Sequence, residues 1–167
     1  AYLQLDINTR RTRELTEGIR TGSGGKNTLL YLLDETKTAM GRRMLRNWID
    51  CPLQDIPAIR SRQDAVEELF ANTVLRTKLR EHLDKIYDIE RLCSKIAYGT
   101  INPRDCVALS RSLRQIGPVL DVISDCTSDE LTRIRQELDR MEDMIDLIDR
   151  AIDDDPAPNL KEGGVIR

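Results

Sequence analysis

Residues 34–55 read DETKTAMGRRMLRNWIDCPLQD. Met40, Met44, Leu45, Trp48 and Ile49 recur at steps of three and four and share one side of a helix. Arg42, Arg43, Arg46, Asn47 and Asp50 take the other side. Thr38 can cap the start, and Pro52 ends the run because it disfavours helical geometry in the residue before it. Gly41 lies with the apolar set. A mid-helix glycine costs about 0.5–1 kcal/mol relative to alanine, so its position predicts close approach of a neighbouring backbone. The face of Met40, Gly41, Met44, Leu45, Trp48 and Ile49 is therefore expected to anchor the middle of a helical core.

The rest of the chain extends this pattern on both sides. Asn27 or Thr28 can cap a short apolar helix, LLYLLDE, ending near Thr36. Asp55 and Pro57 make a helix start, with Ile59, Val66, Leu69 and Phe70 as its expected buried stripe. Two further patterns follow, Leu75, Leu79 and Leu83, then Ile86, Ile89, Cys93 and Ile96, the second stopped by Gly99. After Asn102 and Pro103, a regular series runs Cys106, Leu109, Leu113, Ile116, Leu120 and Ile123. A second runs Leu131, Ile134, Leu138, Met141, Ile145, Ile148 and Ile152. Such spacing predicts two long helices joined through DCTSD as antiparallel neighbours, with Pro118 kinking the first. At the ends, YLQLD (2–6) alternates like a strand and GGVIR (163–167) resembles the start of one, so the two are expected to pair. The fold class is mainly α: a multi-helix orthogonal core with a long antiparallel helical hairpin and a small β element pairing the termini.

A length of 167 residues suits one compact domain, 1–167. The chain is rich in charge and poor in aromatics, which favours helices over sheets. Its net charge of −3 does not mark a strongly basic nucleic-acid domain. Residues 1–50 nevertheless carry nine Lys or Arg against six Asp or Glu, whereas 139–155 carry eight acids against two arginines. Any phosphate contact therefore belongs toward the amino-terminal half. Arg10, Arg11, Arg13, Arg42, Arg43 and Arg46 are the candidates for proximity to a DNA backbone, with intramolecular pairing and solvation the favoured reading. The lack of an initiator methionine and the ending on GGVIR suggest a segment of a longer protein.

No catalytic, cofactor or metal motif emerges. GSGGK at 22–26 lacks the first glycine of a phosphate-binding loop, where Arg20 stands, and Asn27 replaces the magnesium-binding hydroxyl. Asp153, Asp154 and Asp155 are adjacent at a helix end, without the geometry of a calcium loop. Cys51, Cys93, Cys106 and Cys126 have no metal-ligand spacing, and His82 cannot complete a zinc set with them. The cysteines read as reduced, buried small hydrophobes of a cytosolic protein, and His82 as a surface residue. No apolar stretch is long enough to span a membrane.

The specific words carry more than the pattern. LDINTRRTRELT, NTLLYLLDETKTAMGRRMLRNWIDCPLQD, IRSRQDAVEELF, LDKIYDIERLCSKIAYGTINPRD and PAPNLKEGGVIR, in that order, resemble the core domain of the bacterial MutS family of DNA mismatch-recognition proteins. The likeness is strongest at Leu5, Asp6, Thr9, Arg10 and Arg11, at Thr38, Met40, Gly41, Arg43, Leu45, Trp48, Pro52 and Leu53, at Pro103, Arg104 and Asp105, and at Gly163 to Ile166. The chain departs from the family at Ala39, where proline is frequent, and at Thr12 and Arg13, where Asn-Leu is frequent.

The resemblance implies a parent that is a homodimeric, cytoplasmic ATPase acting on mismatched double-stranded DNA and working with MutL. ATP and magnesium would be bound in that parent, outside this chain. The segment would contain neither the mismatch wedge nor the Walker motifs, and would hold connector, lever, clamp and ATPase domains in fixed relation. A generic helical interaction scaffold, or the core of a MutS paralogue acting on recombination intermediates, are the alternative readings.

Overall fold

The computed structural model describes residues 2, 3, 5–17, 27–157 and 164–166, with Arg10, Arg11 and Thr12 described by their backbone alone. The GSGGK loop lies outside the described residues. Among those described, the chain is built of helices α1 (Ile7–Thr12), α2 (Leu29–Leu33), α3 (Ala39–Asp50), α4 (Ile56–Ala71) and α5 (Thr73–Leu83). They are followed by α6 (Ile89–Ala97), α7 (Pro103–Leu113), α8 (Ile116–Val122), α9 (Asp129–Glu137) and α10 (Glu142–Ala151).

Several starts follow the expected side-chain chemistry. Thr28 accepts from the Tyr31 amide, Thr38 from that of Gly41, and Asp55 from that of Ala58. Asn102 and Asp105 form a reciprocal capping box around Pro103. Gly99, at φ 65°, follows α6 in the left-handed region that glycine enters at least cost.

The two long helices expected over 106–123 and 131–152 are each broken. The first divides at Arg114 and Gln115, the residues four and three before Pro118. Proline offers no amide to the carbonyl of Arg114 and its ring crowds that turn, so what sequence suggests as a kink becomes a division into α7 and α8. The second divides at 138–141. Asp139 Oδ1 accepts from the Met141 amide at 2.7 Å, and Met141 takes a φ of 56°. A local side-chain bond and one left-handed residue thus replace a helical turn.

The halves then pack separately. α7 lies against α6 and α10, whereas α8 lies on α5 and α9 on α4. Two apolar clusters result. Ala65, Leu120, Ile123, Cys126 and Leu131 form one, and Leu92, Leu109, Leu113 and Ile145 the other, with Ile116 touching both. Of the expected hairpin only α7 and α10 pair extensively; the seam is divided between two cores, and Leu138 within it is exposed.

The terminal β element takes a different form. Among the described residues the two ends do not pair with each other: Tyr2 bridges Leu53 and Ile166 bridges Ile152. Leu3 N donates to Pro52 O at 2.8 Å, and Asp153 N to Val165 O at 3.0 Å. Each terminal segment binds backbone groups just past a helix end, which have no intrahelical partner.

Candidate functional site: an arginine-stapled helix beside an open apolar groove

Helix α3 contains no buried residue, contrary to its expected place at the middle of the core. Met40, Gly41, Leu45 and Ile49 are half-buried, while Met44 is 57% and Trp48 39% exposed. The amphipathic pattern was real, but it marks a helix at the periphery with one side only partly covered. Gly41 also has a local explanation. A Cβ there would meet Thr38 Oγ1 at 3.0 Å, so the glycine makes room for its own capping hydroxyl and not for a second backbone.

The polar side of α3 is occupied by ion pairs. Arg42 Nε lies 2.9 Å from Asp34 Oδ2, and Arg46 Nη2 lies 3.0 Å from Glu17 Oε1. Arg43 forks onto both carboxylate oxygens of Asp88, at 2.9 and 2.7 Å, and its Nε reaches Glu90 at 2.9 Å. Those bonds, from Asp88 first and Glu90 second, raise the Arg43 pKa further above its usual value. The same fork lowers the pKa of Asp88. Asp88 also caps α6 by accepting from the Arg91 amide at 3.2 Å. Thus Arg42 and Arg43, two candidates for DNA proximity, tie α3 to neighbouring segments. Arg10 and Arg11 lie on α1, and their side chains are outside the description.

On the other side of α3, Trp48 meets α4 across a groove of 600 Å³ lined by Leu53, Ile59, Val66 and Phe70 among others. Arg62 lies over the Trp48 ring, 3.8 Å from its centroid, and Glu67 also borders the groove. Val66 is 63% and Phe70 76% exposed, so they are not part of the buried stripe expected from sequence. Ala65 is buried instead, and Leu69 packs against its cluster. Helix α4 carries two adjacent apolar stripes, one turned inward and one left open. Periodicity alone could not tell them apart.

Two features had no sequence signal. Ser112 is fully buried, donating to Ala108 O at 2.8 Å and accepting from the Tyr87 amide at 2.9 Å. Glu68 on α4 accepts from the amides of Thr127 and Ser128, at 2.7 and 2.9 Å, at the start of α9. The Ser128 hydroxyl beside it and these two amides lower the Glu68 pKa to about 2. That hydroxyl is buried yet falls short of hydrogen-bond geometry, so the amides are the firmer contacts.

The remaining candidates are dispersed. His82 is half-buried, with Nδ1 3.1 Å from Gln115 Oε1. Cys93 is exposed, Cys51 and Cys106 are intermediate, and only Cys126 is buried, which corrects the expectation of buried thiols. Leu92, not Cys93, turns inward on α6. Among the described residues no cluster of three or more His, Cys, Asp or Glu could hold a metal, and no helix is long and apolar enough to cross a membrane.

Comparison with known proteins agrees with the quoted motifs. The family model for MutS domain III matches residues 8–167. Proteins named DNA mismatch repair protein MutS from Caldicellulosiruptor bescii and Exiguobacterium are 46% and 45% identical over 166 residues, 99% of this chain. That from Lachnoclostridium phytofermentans is 43% identical over the same length. The chain spans only 18–20% of the length of these relatives. With the match running through the stapled helix α3, the groove beside it and both halves of the hairpin, the chain belongs to the MutS domain III family.

Proposed function

We propose that this chain is the structural core of a DNA mismatch-repair protein, linking connector, lever, clamp and ATPase domains so that binding of mismatched DNA and nucleotide state bias one another. The observation that carries this reading is the open groove between α3 and α4. Trp48, Leu53, Ile59, Val66 and Phe70 present a contiguous apolar surface, and such surfaces on folded proteins mark interaction sites. In relatives about five times longer, other domains of the same polypeptide are the occupants nearest to hand. Coupling then needs no chemistry in this segment, only differential contacts in two states. ATP and magnesium belong to the ATPase domain of the parent. The GSGGK loop does not fit them, since Arg20 and Asn27 stand at positions that phosphate and magnesium binding require otherwise.

The test is to place Val66→Glu and Phe70→Glu in the full-length protein. Basal ATP turnover should persist, while its response to mismatched duplex should fall about tenfold, the loss expected when a coupling of roughly 1.4 kcal/mol is removed. An unchanged response would contradict the reading.

A further inference from the structure

The chain crosses between the two apolar clusters at few places, and those places are breaks. One lobe contains α4, α5, α8 and α9, and the other α6, α7 and α10. The extensive helix pairings fall within a lobe: α4 with α5 and α9, α5 with α8, and α7 with α6 and α10. Between lobes the backbone passes at 84–88, at Arg114 and Gln115, and at 138–141. None of the three passages is a continuous helix.

The groups around them favour rotation over separation. Ile116, just past the second passage, packs into both clusters and gives a shared apolar pivot. Hydrogen bonds span the passages at their roots, from Tyr87 N to Ser112 Oγ at 2.9 Å and between His82 Nδ1 and Gln115 Oε1 at 3.1 Å. In the third passage Arg140 reaches back to Asp121 on α8 at 2.6 Å. Gly117 leaves space for it, since a Cβ there would meet Arg140 Nη1 at 3.1 Å. Pro118 prevents α7 and α8 from fusing, and Met141 holds a left-handed φ of 56° that a single helix could not contain.

From this arrangement we propose that residues 84–88, 114–115 and 138–141 form one hinge, about which the α6, α7 and α10 lobe turns against the α4, α5, α8 and α9 lobe. Hinges are a few element-terminal residues that absorb backbone change while packed bodies move intact. The two lobes have separate apolar interiors, so a turn about Ile116 leaves each interior covered. This motion is internal to the domain and is distinct from docking at the α3–α4 groove.

The experiment is distance measurement by pulsed electron resonance in the full-length protein, with spin labels on unnatural residues so that the cysteines stay in place. Exposed Lys78 on α5 and Asp146 on α10 report across the lobes. Lys78 with Gln136 on α9, and Ser94 on α6 with Asp146, report within them. Spectra are taken without nucleotide, with ATP, and with ATP and mismatched duplex. The cross-lobe distribution should be at least about twofold broader than either within-lobe one, or shift between conditions while they do not. Pro118→Ala, which returns an amide to α8, should narrow it. A cross-lobe distribution as narrow and as constant as the within-lobe controls under all three conditions would overturn the hinge, whatever happens to DNA-dependent ATP turnover.

Discussion

Arg43 on α3 grips Asp88 with two parallel hydrogen bonds, at 2.9 and 2.7 Å, while Asp88 uses the same carboxylate to cap α6. One acid therefore closes a helix end and fixes a peripheral helix to it. Asp88→Ala removes both functions and should lower stability by about 1 kcal/mol from the cap alone. Arg43→Ala leaves the cap in place and should have the smaller effect. Denaturant midpoints of the two variants check the order, and equal losses would show that the cap is not formed.

Glu68 should confer a pH dependence on the start of α9. Its pKa is lowered from 4.5 to about 2 by the Ser128 hydroxyl and the Thr127 and Ser128 amides. Because the folded value is depressed, its stabilising contribution is complete above the unfolded value and is lost as pH falls from about 4.5 toward 2. Glu68→Gln should flatten that part of the stability profile and cost about 1 kcal/mol at neutral pH. Thermal melts between these pH limits, for wild type and variant, measure it.

Core and periphery should answer unequally to truncation. Ile123 is 2% exposed in the α4, α5, α8 and α9 lobe, so Ile123→Ala should cost about 2–5 kcal/mol. Met44→Ala, on a side chain 57% exposed, should stay within about 0.5 kcal/mol. Chemical denaturation compares them.

Thiol chemistry separates the cysteines. Cys93 is exposed and should react with a disulfide reagent in the native state. Cys126 is buried, and burial raises its pKa above the usual thiol value. It should react only after unfolding. Mass spectrometry of labelled peptides assigns the two rates.

Local chemistry was legible in the sequence where one residue type has one job. Thr38, Asp55 and the Asn102–Asp105 box mark helix starts because their side chains satisfy amides within three residues. The family was legible through ordered words along the whole chain. Long-range facts were not. Nothing in a three-and-four spacing says which of two adjacent stripes on α4 turns inward, or that α3 packs at the edge. The bond from the Met141 amide to Asp139 and the hold of Glu68 on the Thr127 and Ser128 amides have no sequence signature, because their meaning lies in backbone geometry and in partners distant along the chain. Pro118 did signal its site, and only the completeness of the break was missed.

If the proposed function holds, other domains of the full-length protein cover the α3–α4 groove. The decisive measurement is hydroxyl-radical footprinting of the full-length protein, reading the modification of Phe70, which is 76% exposed in this chain, and of buried Ile123 against the same peptides after digestion. Phe70 should be protected to nearly the degree of Ile123. Modification of Phe70 in the intact protein at the rate of the free peptide would contradict it.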